Sequence, residues 1–345
     1  MNKALVSLAC LVVVTAVAHS AEPVTRNVWQ EVVVSVTDLD ASARFFVEIG
    51  GYRVKWRGSM RPAELAAFGL PDEARGEALL LGPADADDGL LRLVRFGDAG
   101  PREPMRPGAR AWDTGCYFSL MVRAKNLAAV YADAISLGWW TETPITYLEF
   151  GASKLNVVIF RGPDGVQVQA YERLAPPLPE AVGEFSRLTR PFNVMQMVQS
   201  RDRAYGFFTD VLGFDTFYAG EPYVASDPEY TPLGIPYNLT TSVGYAAGIV
   251  YPEAGEYGRM EMIEIIGLDG RDYSDRCVAP NLGILAVRFE IYDLDGLDER
   301  LGARGYAADG ERQDVHISPY GRFELQNLRT PDGSLIQFLE PGAVP

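Results

Sequence analysis

The side chains able to do chemistry in this chain are few, and two of the most regular are neutral. In RGPDGVQVQAYE (161–172) and RTPDGSLIQFLE (329–340), a glutamine stands five residues after the aspartate of a Pro-Asp-Gly turn, at Gln169 and Gln337. An amide both donates and accepts, so it can orient a substrate, but it cannot serve as a base at neutral pH. Otherwise each is an inward polar residue satisfied at a position the fold sets. His316, in QDVHISPYGRFE, is the one histidine outside the N-terminal leader. It is the natural acid–base candidate near neutral pH, or a lone structural histidine. Glu31 opens the apolar run EVVVSV. If it faces a cleft, burial raises its pKa and suits it to proton transfer; if not, it is an exposed strand-end carboxylate. Tyr117 can donate a hydrogen bond or act as an acid, or be a half-buried core tyrosine. Arg92, in LLRLV, can pair with Glu31 or with an anionic substrate, or face solvent beside Arg95. Trp29, Trp56, Trp112, Trp139 and Trp140 all fall in the first half, as core or as the lining of a pocket for an aromatic ligand. There is no phosphate-binding glycine loop, no CxxC and no GxSxG elbow.

The elements that must position these residues repeat. EVVVSVTDLDASARFFVEIGGYRV (31–54) reads as strand, helix, strand. Asp38 or Asp40 caps the helix, Phe45 and Phe46 form its buried face, and Gly50-Gly51 ends it. NVMQMVQSRDRAYGFFTDVLGFDTF (193–217) has the same plan, with Phe207 and Phe208 buried and Gly213 as the stop. Two further strand–helix–glycine units begin at 116 and 285, each followed by apolar strands. Gly69-Leu70-Pro71 matches Gly234-Ile235-Pro236, and the two PDG turns keep nearly the same offset. The pattern is βαβββ four times over, two per half, with APPLPE (175–180) as a stiff segment between the halves.

Composition narrows the function. The 345 residues are 48% hydrophobic and 22% charged, which suits one large or two medium globular domains. The net charge is −15, with 46 acidic and 31 basic residues and no basic cluster. Nucleic acid is therefore not an expected partner, nor is an anionic membrane. Residues 1–21 (Lys3, an apolar run, then small residues) have the layout of a secretory signal peptide. A periplasmic or secreted protein with no membrane span after cleavage is expected. Cys116 and Cys277 remain, and an oxidising compartment permits a disulfide between them. Their count and spacing do not suggest zinc.

VVVSVTDLDASARFF, FFTDVLGF, DLDGLDERLGARGY and the two PDG hairpins together resemble the vicinal oxygen chelate superfamily, which includes glyoxalase I, extradiol dioxygenases and bleomycin-resistance proteins. The resemblance implies an α+β fold of two domains, 28–174 and 188–342, joined by a Pro-rich linker at 175–187. Each is a pair of βαβββ units curled around a cleft. It also implies four cleft positions per domain, on the first and last strand of each unit, where metal-dependent relatives keep ligands. Counted from the helix starts and turns, they fall on Glu31, Arg92, Tyr117 and Gln169, and on Asn193, Glu261, Ala286 and Gln337. Exchange of halves, as in some relatives, regroups them as Glu31, Arg92, Ala286, Gln337 and Asn193, Glu261, Tyr117, Gln169. Neither set holds a histidine, so extradiol iron chemistry is disfavoured, and so is the usual glyoxalase site. At a ligand position, the Arg92 guanidinium can stand in for the metal's charge. The expectation is a site without a transition metal: Glu31, Tyr117 and His316 for catalysis, and Arg92, Gln169, Asn193, Glu261 and Gln337 for substrate contact. The alternative is one divalent ion held by oxygens of Asn193, Glu261 and Gln337. The expected function is binding of a small aromatic or carbonyl-containing molecule by a monomer or homodimer. Its alternative is a lyase or isomerase that moves a proton next to a carbonyl.

Overall fold

The computed structural model describes residues 22–108 and 110–342. The expected signal segment, 1–21, lies outside the described residues. The first unit comprises β1 (Glu31–Ser35), α1 (Leu39–Arg44), β2 (Arg53–Ser59), α2 (Pro62–Ala66), β3 (Arg75–Gly82) and β4 (Leu90–Gly97). The second has β5 (Tyr117–Arg123), α3 (Leu127–Ser136), β6 (Thr146–Phe150), β7 (Ser153–Arg161) and β8 (Gln167–Ala175). The third has β9 (Asn193–Met197), α4 (Arg201–Gly206), β10 (Asp215–Ala219), β11 (Gly244–Tyr251) and β12 (Arg259–Ile266). The fourth has β13 (Gly283–Glu290), α5 (Leu294–Ala303), β14 (Gln313–Ile317), β15 (Gly321–Arg329) and β16 (Leu335–Pro341). Beyond these strand–helix–strands units, the first carries the additional short helix α2.

Local chemistry explains the helix ends. Asp38, rather than Asp40, caps α1 by accepting from the amides of Asp40 and Ala41. Ser200, Asn126 and Asp293 cap α4, α3 and α5 in the same way. α1 and α4 each continue as a wide π turn, 45–49 and 207–211, that drives a phenylalanine pair into the core. Gly51 and Gly213 leave those turns at positive φ, which a glycine adopts without strain.

The units pair across the two halves of the chain. One eight-stranded sheet runs β14-β15-β16-β13-β1-β4-β3-β2 and the other β10-β11-β12-β9-β5-β8-β7-β6. The seams are antiparallel: β1 joins β13 and β5 joins β9. The first sheet therefore combines units one and four, and the second combines units two and three. Helices α1, α3, α4 and α5 lie between the sheets in one shared core. There Phe45 stacks on Trp139 at 4.2 Å and Phe207 meets Tyr306 at 5.3 Å. Each sheet turns its other, concave face away from that core. A Cys116–Cys277 disulfide ties the start of β5 to the segment that leads into β13, and so fastens one sheet to the other.

Candidate functional site

Strand register decides which residues share each concave face. In the first sheet Glu31 lies opposite Arg288, Arg288 opposite Gln337, and Val33 opposite Arg92. In the second, Asn193 lies opposite Met121, Met121 opposite Gln169, and Met195 opposite Glu261. The four-residue sets are thus Glu31, Arg92, Arg288, Gln337 and Asn193, Glu261, Met121, Gln169. The regrouped sets hold in three positions each. Arg288 replaces Ala286 and Met121 replaces Tyr117, because these strands bring their cleft residue nearer the helix than β1 and β9 do. A bulge between Tyr117 and Ser119 also turns Tyr117 to the opposite face, where its hydroxyl donates to the Leu335 carbonyl at 3.0 Å within the shared core. Burial pushes its pKa up, so Tyr117 is a structural tyrosine and not a cleft acid.

The first concave face is closed by its own side chains. Arg92 Nε and Arg288 Nη1 donate to the same Glu31 oxygen at 2.7 and 2.8 Å, and the Tyr320 hydroxyl donates to the other at 2.9 Å. Arg288 also reaches Glu64 of α2 at 3.0 Å and Gln337 Oε1 at 2.8 Å. Gln337 in turn donates to Asn327, which donates to the Ala67 carbonyl. Trp56 and Tyr320 pack on Arg92, and Phe68 on Arg288. Two carboxylates thus balance two guanidiniums, and Glu31, Arg92 and Arg288 are wholly buried. The Glu31 carboxyl is held below its ordinary range: burial raises it, but Arg92 and Arg288 together pull it down further. This corrects the expectation for Glu31, which is a locked anion instead of a base. Arg92 does not face solvent; it pairs with Glu31, the other reading open to it. With two guanidiniums in the quartet, a cation does not fit there.

His316 lies in β14 between Val315 and Ile317, which pack into the concave-face cluster with Leu325 and Leu339. By strand alternation its ring points to the other face, away from the carboxylates and amides of both quartets.

The second concave face is open. A cleft of about 810 Å³ runs along it, lined by Gln169, Asn193, Glu261 and Met121 together with aromatic and apolar residues. The contrast lies in the β2–β3 and β10–β11 connections. The first, 60–74, folds into α2 and drops Leu65, Phe68 and Glu64 onto its sheet. The second, 220–243, lies along the cleft wall through Thr231 and Leu233. Asn193 donates to Glu261 at 2.6 Å and Gln169 donates to the Tyr171 hydroxyl at 2.6 Å. The remaining amide oxygens, Asn193 Oδ1 and Gln169 Oε1, are buried without a partner. Burial raises the Glu261 carboxyl to about 7, against the Asn193 hydrogen bond and the Arg259 charge, which lower it. Glu261 therefore has the proton-exchanging character expected of Glu31. One carboxylate, two neutral amides and a thioether offer neither imidazole nor thiolate, and Arg259 adds positive charge beside them. That donor set does not suit a transition ion.

The structure adds residues the sequence reading did not weigh: Arg288, Glu64 and Tyr320 in the closed face, and Met121, Arg123, Arg173 and Arg259 in the open one. A signal existed for two of them. Arg288 in LAVRF interrupts an apolar strand, as Arg92 does in LLRLV, and Arg123 closes the apolar run SLMV. None of the five tryptophans lines the open cleft. Trp29 and Trp139 are core, and Trp56 covers Arg92.

No family model and no curated protein matches the sequence. Solved structures do. Glyoxalase I from Zea mays aligns over 90% of this chain and 92% of its own, with a TM-score of 0.59 and 14% identity. A mutant form of that maize enzyme aligns over 90% and 93%, with a TM-score of 0.58 and 13% identity. A dioxygenase candidate from Bacillus subtilis covers 91% of this chain and 86% of its own, with a TM-score of 0.52 and 12% identity. The chain therefore has the vicinal oxygen chelate fold of the glyoxalase and dioxygenase type. At these identities the likeness concerns the scaffold, and the activity must be argued from the cleft.

Proposed function

We propose that this is an exported protein that binds a small organic molecule in the cleft of its second sheet, without a transition metal. The carrying observation is the asymmetry of the two concave faces: one filled by the Glu31–Arg92–Arg288–Glu64 network, the other open over about 810 Å³ with two unpartnered amide oxygens. Those oxygens await N–H or O–H donors, because an unmet buried acceptor costs about 1–3 kcal/mol. Export draws support from the signal-like N-terminus and from the Cys116–Cys277 disulfide, which suits an oxidising compartment. No helix among the described residues is long and apolar enough to cross a membrane.

Metal analysis and native mass spectrometry of protein purified without chelators test this reading. An organic ligand released on denaturation, whose rebinding weakens in Gln169→Leu, supports it. A stoichiometric divalent ion lost in Glu261→Gln defeats the metal-free part. Ligand binding indifferent to both substitutions defeats the site.

One observation favours a second reading, proton transfer next to a carbonyl. Glu261 titrates near neutrality in a cleft able to hold a substrate, which is the condition for a general base. Glu261 would take the proton while the orphan amides orient the substrate. Exchange of α-protons with D2O, followed by NMR on a co-purified ligand, checks this: Glu261→Gln must abolish exchange and leave binding intact.

A further inference from the structure

We propose that the ligand of the second cleft is an organic oxyanion, its charged group held by Arg123, Arg173 and Arg259 and the rest of the molecule lying along the sheet toward Asn193 and Glu261. This rests on the reading of that cleft as a small-molecule site.

The three arginines come from the ends of β5, β8 and β12, and all line the cleft. Register brings them to one end: Arg259 stands opposite Asn193, and Arg123 opposite Tyr171, two residues before Arg173. Their shared counter-charge is thin. Glu256 approaches Arg123 and Arg259 only to 3.7 Å each, too far for a hydrogen bond. Arg173 forms no salt bridge among the described residues, and Nε of both Arg173 and Arg259 is buried without a partner. Arg259 spends one N–H on the Gly255 carbonyl at 2.7 Å.

Two of the guanidiniums are set in place by aromatic rings. Arg123 lies over Phe192 at 4.0 Å and Arg259 over Phe217 at 3.9 Å. A guanidinium stacked on a ring keeps its edge N–H groups for a planar or tetrahedral oxyanion. Burial and mutual repulsion hold Arg123 down to about 10, and Arg259 is also lowered. Such crowding destabilises the ligand-free state and is relieved by an anion. The setting does not reflect a generally basic surface, since the chain carries −15 overall. Glu261 is buried near Arg259, but burial raises its carboxyl to about 7 and so weakens it as a counter-charge. The remaining carboxylates, Glu149, Glu221 and Glu229, are exposed at the cleft's rim, whereas Arg123 and Arg259 are buried in its floor. Water screens the first group far more than the second.

Titration calorimetry on the disulfide-intact chain tests this, with phenylacetate, phenyl phosphate and neutral phenylacetamide as probes. The acids are expected to bind at least roughly tenfold more tightly than the amide. Arg173→Gln and Arg259→Gln should each remove about that factor for the acids and leave the amide unaffected. The ligand-free melting temperature of Arg173→Gln should hold or rise, whereas loss of a merely structural arginine would lower it. The ratio between the two acids tells carboxylate from phosphate. Acids that bind equally well to the arginine variants overturn the proposal. An amide as tight as the acids, weakened by Gln169→Leu, overturns the anion but keeps the cleft. No binding of any probe, with no organic molecule released from the purified protein, overturns both.

Discussion

Glu31 and Glu261 are both buried glutamates on inner strands of equivalent sheets, yet their neighbours send them in opposite directions. Two guanidiniums hold Glu31 as an anion. Glu261 has only an amide at 2.6 Å and a more distant arginine, so desolvation dominates. Their contributions to stability have opposite sign in pH. Glu31 has a lowered folded pKa, so its stabilisation is present above the unfolded value of 4.5 and is lost as pH falls below it. Glu261 has a raised folded pKa, so its contribution is present below 4.5 and is lost as pH rises through about 7. Glu261→Gln should therefore flatten the fall of stability as pH rises from about 5 through about 7 and stabilise the ligand-free protein at pH 8. The limit is on the order of 3 kcal/mol. Urea unfolding at a series of pH values reads this out, and a Glu261 carboxyl found titrating near 4.5 by NMR would refute it. Glu31→Gln should cost about 3–5 kcal/mol, since it leaves two buried guanidiniums with only the Glu64 carboxylate between them. It should leave ligand binding in the other cleft unchanged, which calorimetry checks.

At the scale of elements, the connection between the second and third strands of a unit decides whether a cleft exists. The 60–74 connection supplies Glu64 as a charge partner and Phe68 as a lid over Arg288. Phe68→Ala should destabilise the protein by about 3 kcal/mol, with a clear drop in the urea midpoint. It should not create a second ligand site, because the Glu31–Arg92–Arg288 network stays in place beneath it; a doubled binding stoichiometry would contradict that. Gly69-Leu70-Pro71 and Gly234-Ile235-Pro236 were legible as matching landmarks, and Leu70 and Ile235 are both buried. The backbone between them and their strands was not legible, because its path depends on which residues of a distant unit it meets. The same limit explains Tyr117. Counting residues from the helix assumes an unbroken alternation, and a bulge broke it.

In the whole molecule, the seams β1–β13 and β5–β9 join the two halves of the chain, and the disulfide crosses between the sheets. The Cys116–Cys277 bond closes a separation of 161 residues, for which loop entropy gives about 5 kcal/mol. Reduction, or the double substitution to serine, should lower unfolding stability by up to that amount while the native far-ultraviolet spectrum persists. Cleavage in the 176–187 segment should leave two fragments that stay associated even under reducing conditions, since each sheet needs strands from both. Independent elution of the fragments on size-exclusion chromatography would contradict the seam assignment.

The sequence by itself determined the scaffold. The fourfold βαβββ pattern, the capping aspartates, the phenylalanine pairs and the PDG hairpins are local features, written in periodicity and turn chemistry that neighbouring residues enforce. It also placed Gln169, Gln337, Asn193, Glu261, Glu31 and Arg92 on the inward rows. Only the tertiary structure decided what those residues do. Whether a buried carboxylate is a locked anion or a near-neutral acid depends on charges brought to it from strands as distant in sequence as β1 and β13. Electrostatics at 3 Å is set by register and seam, and neither is encoded within any one segment.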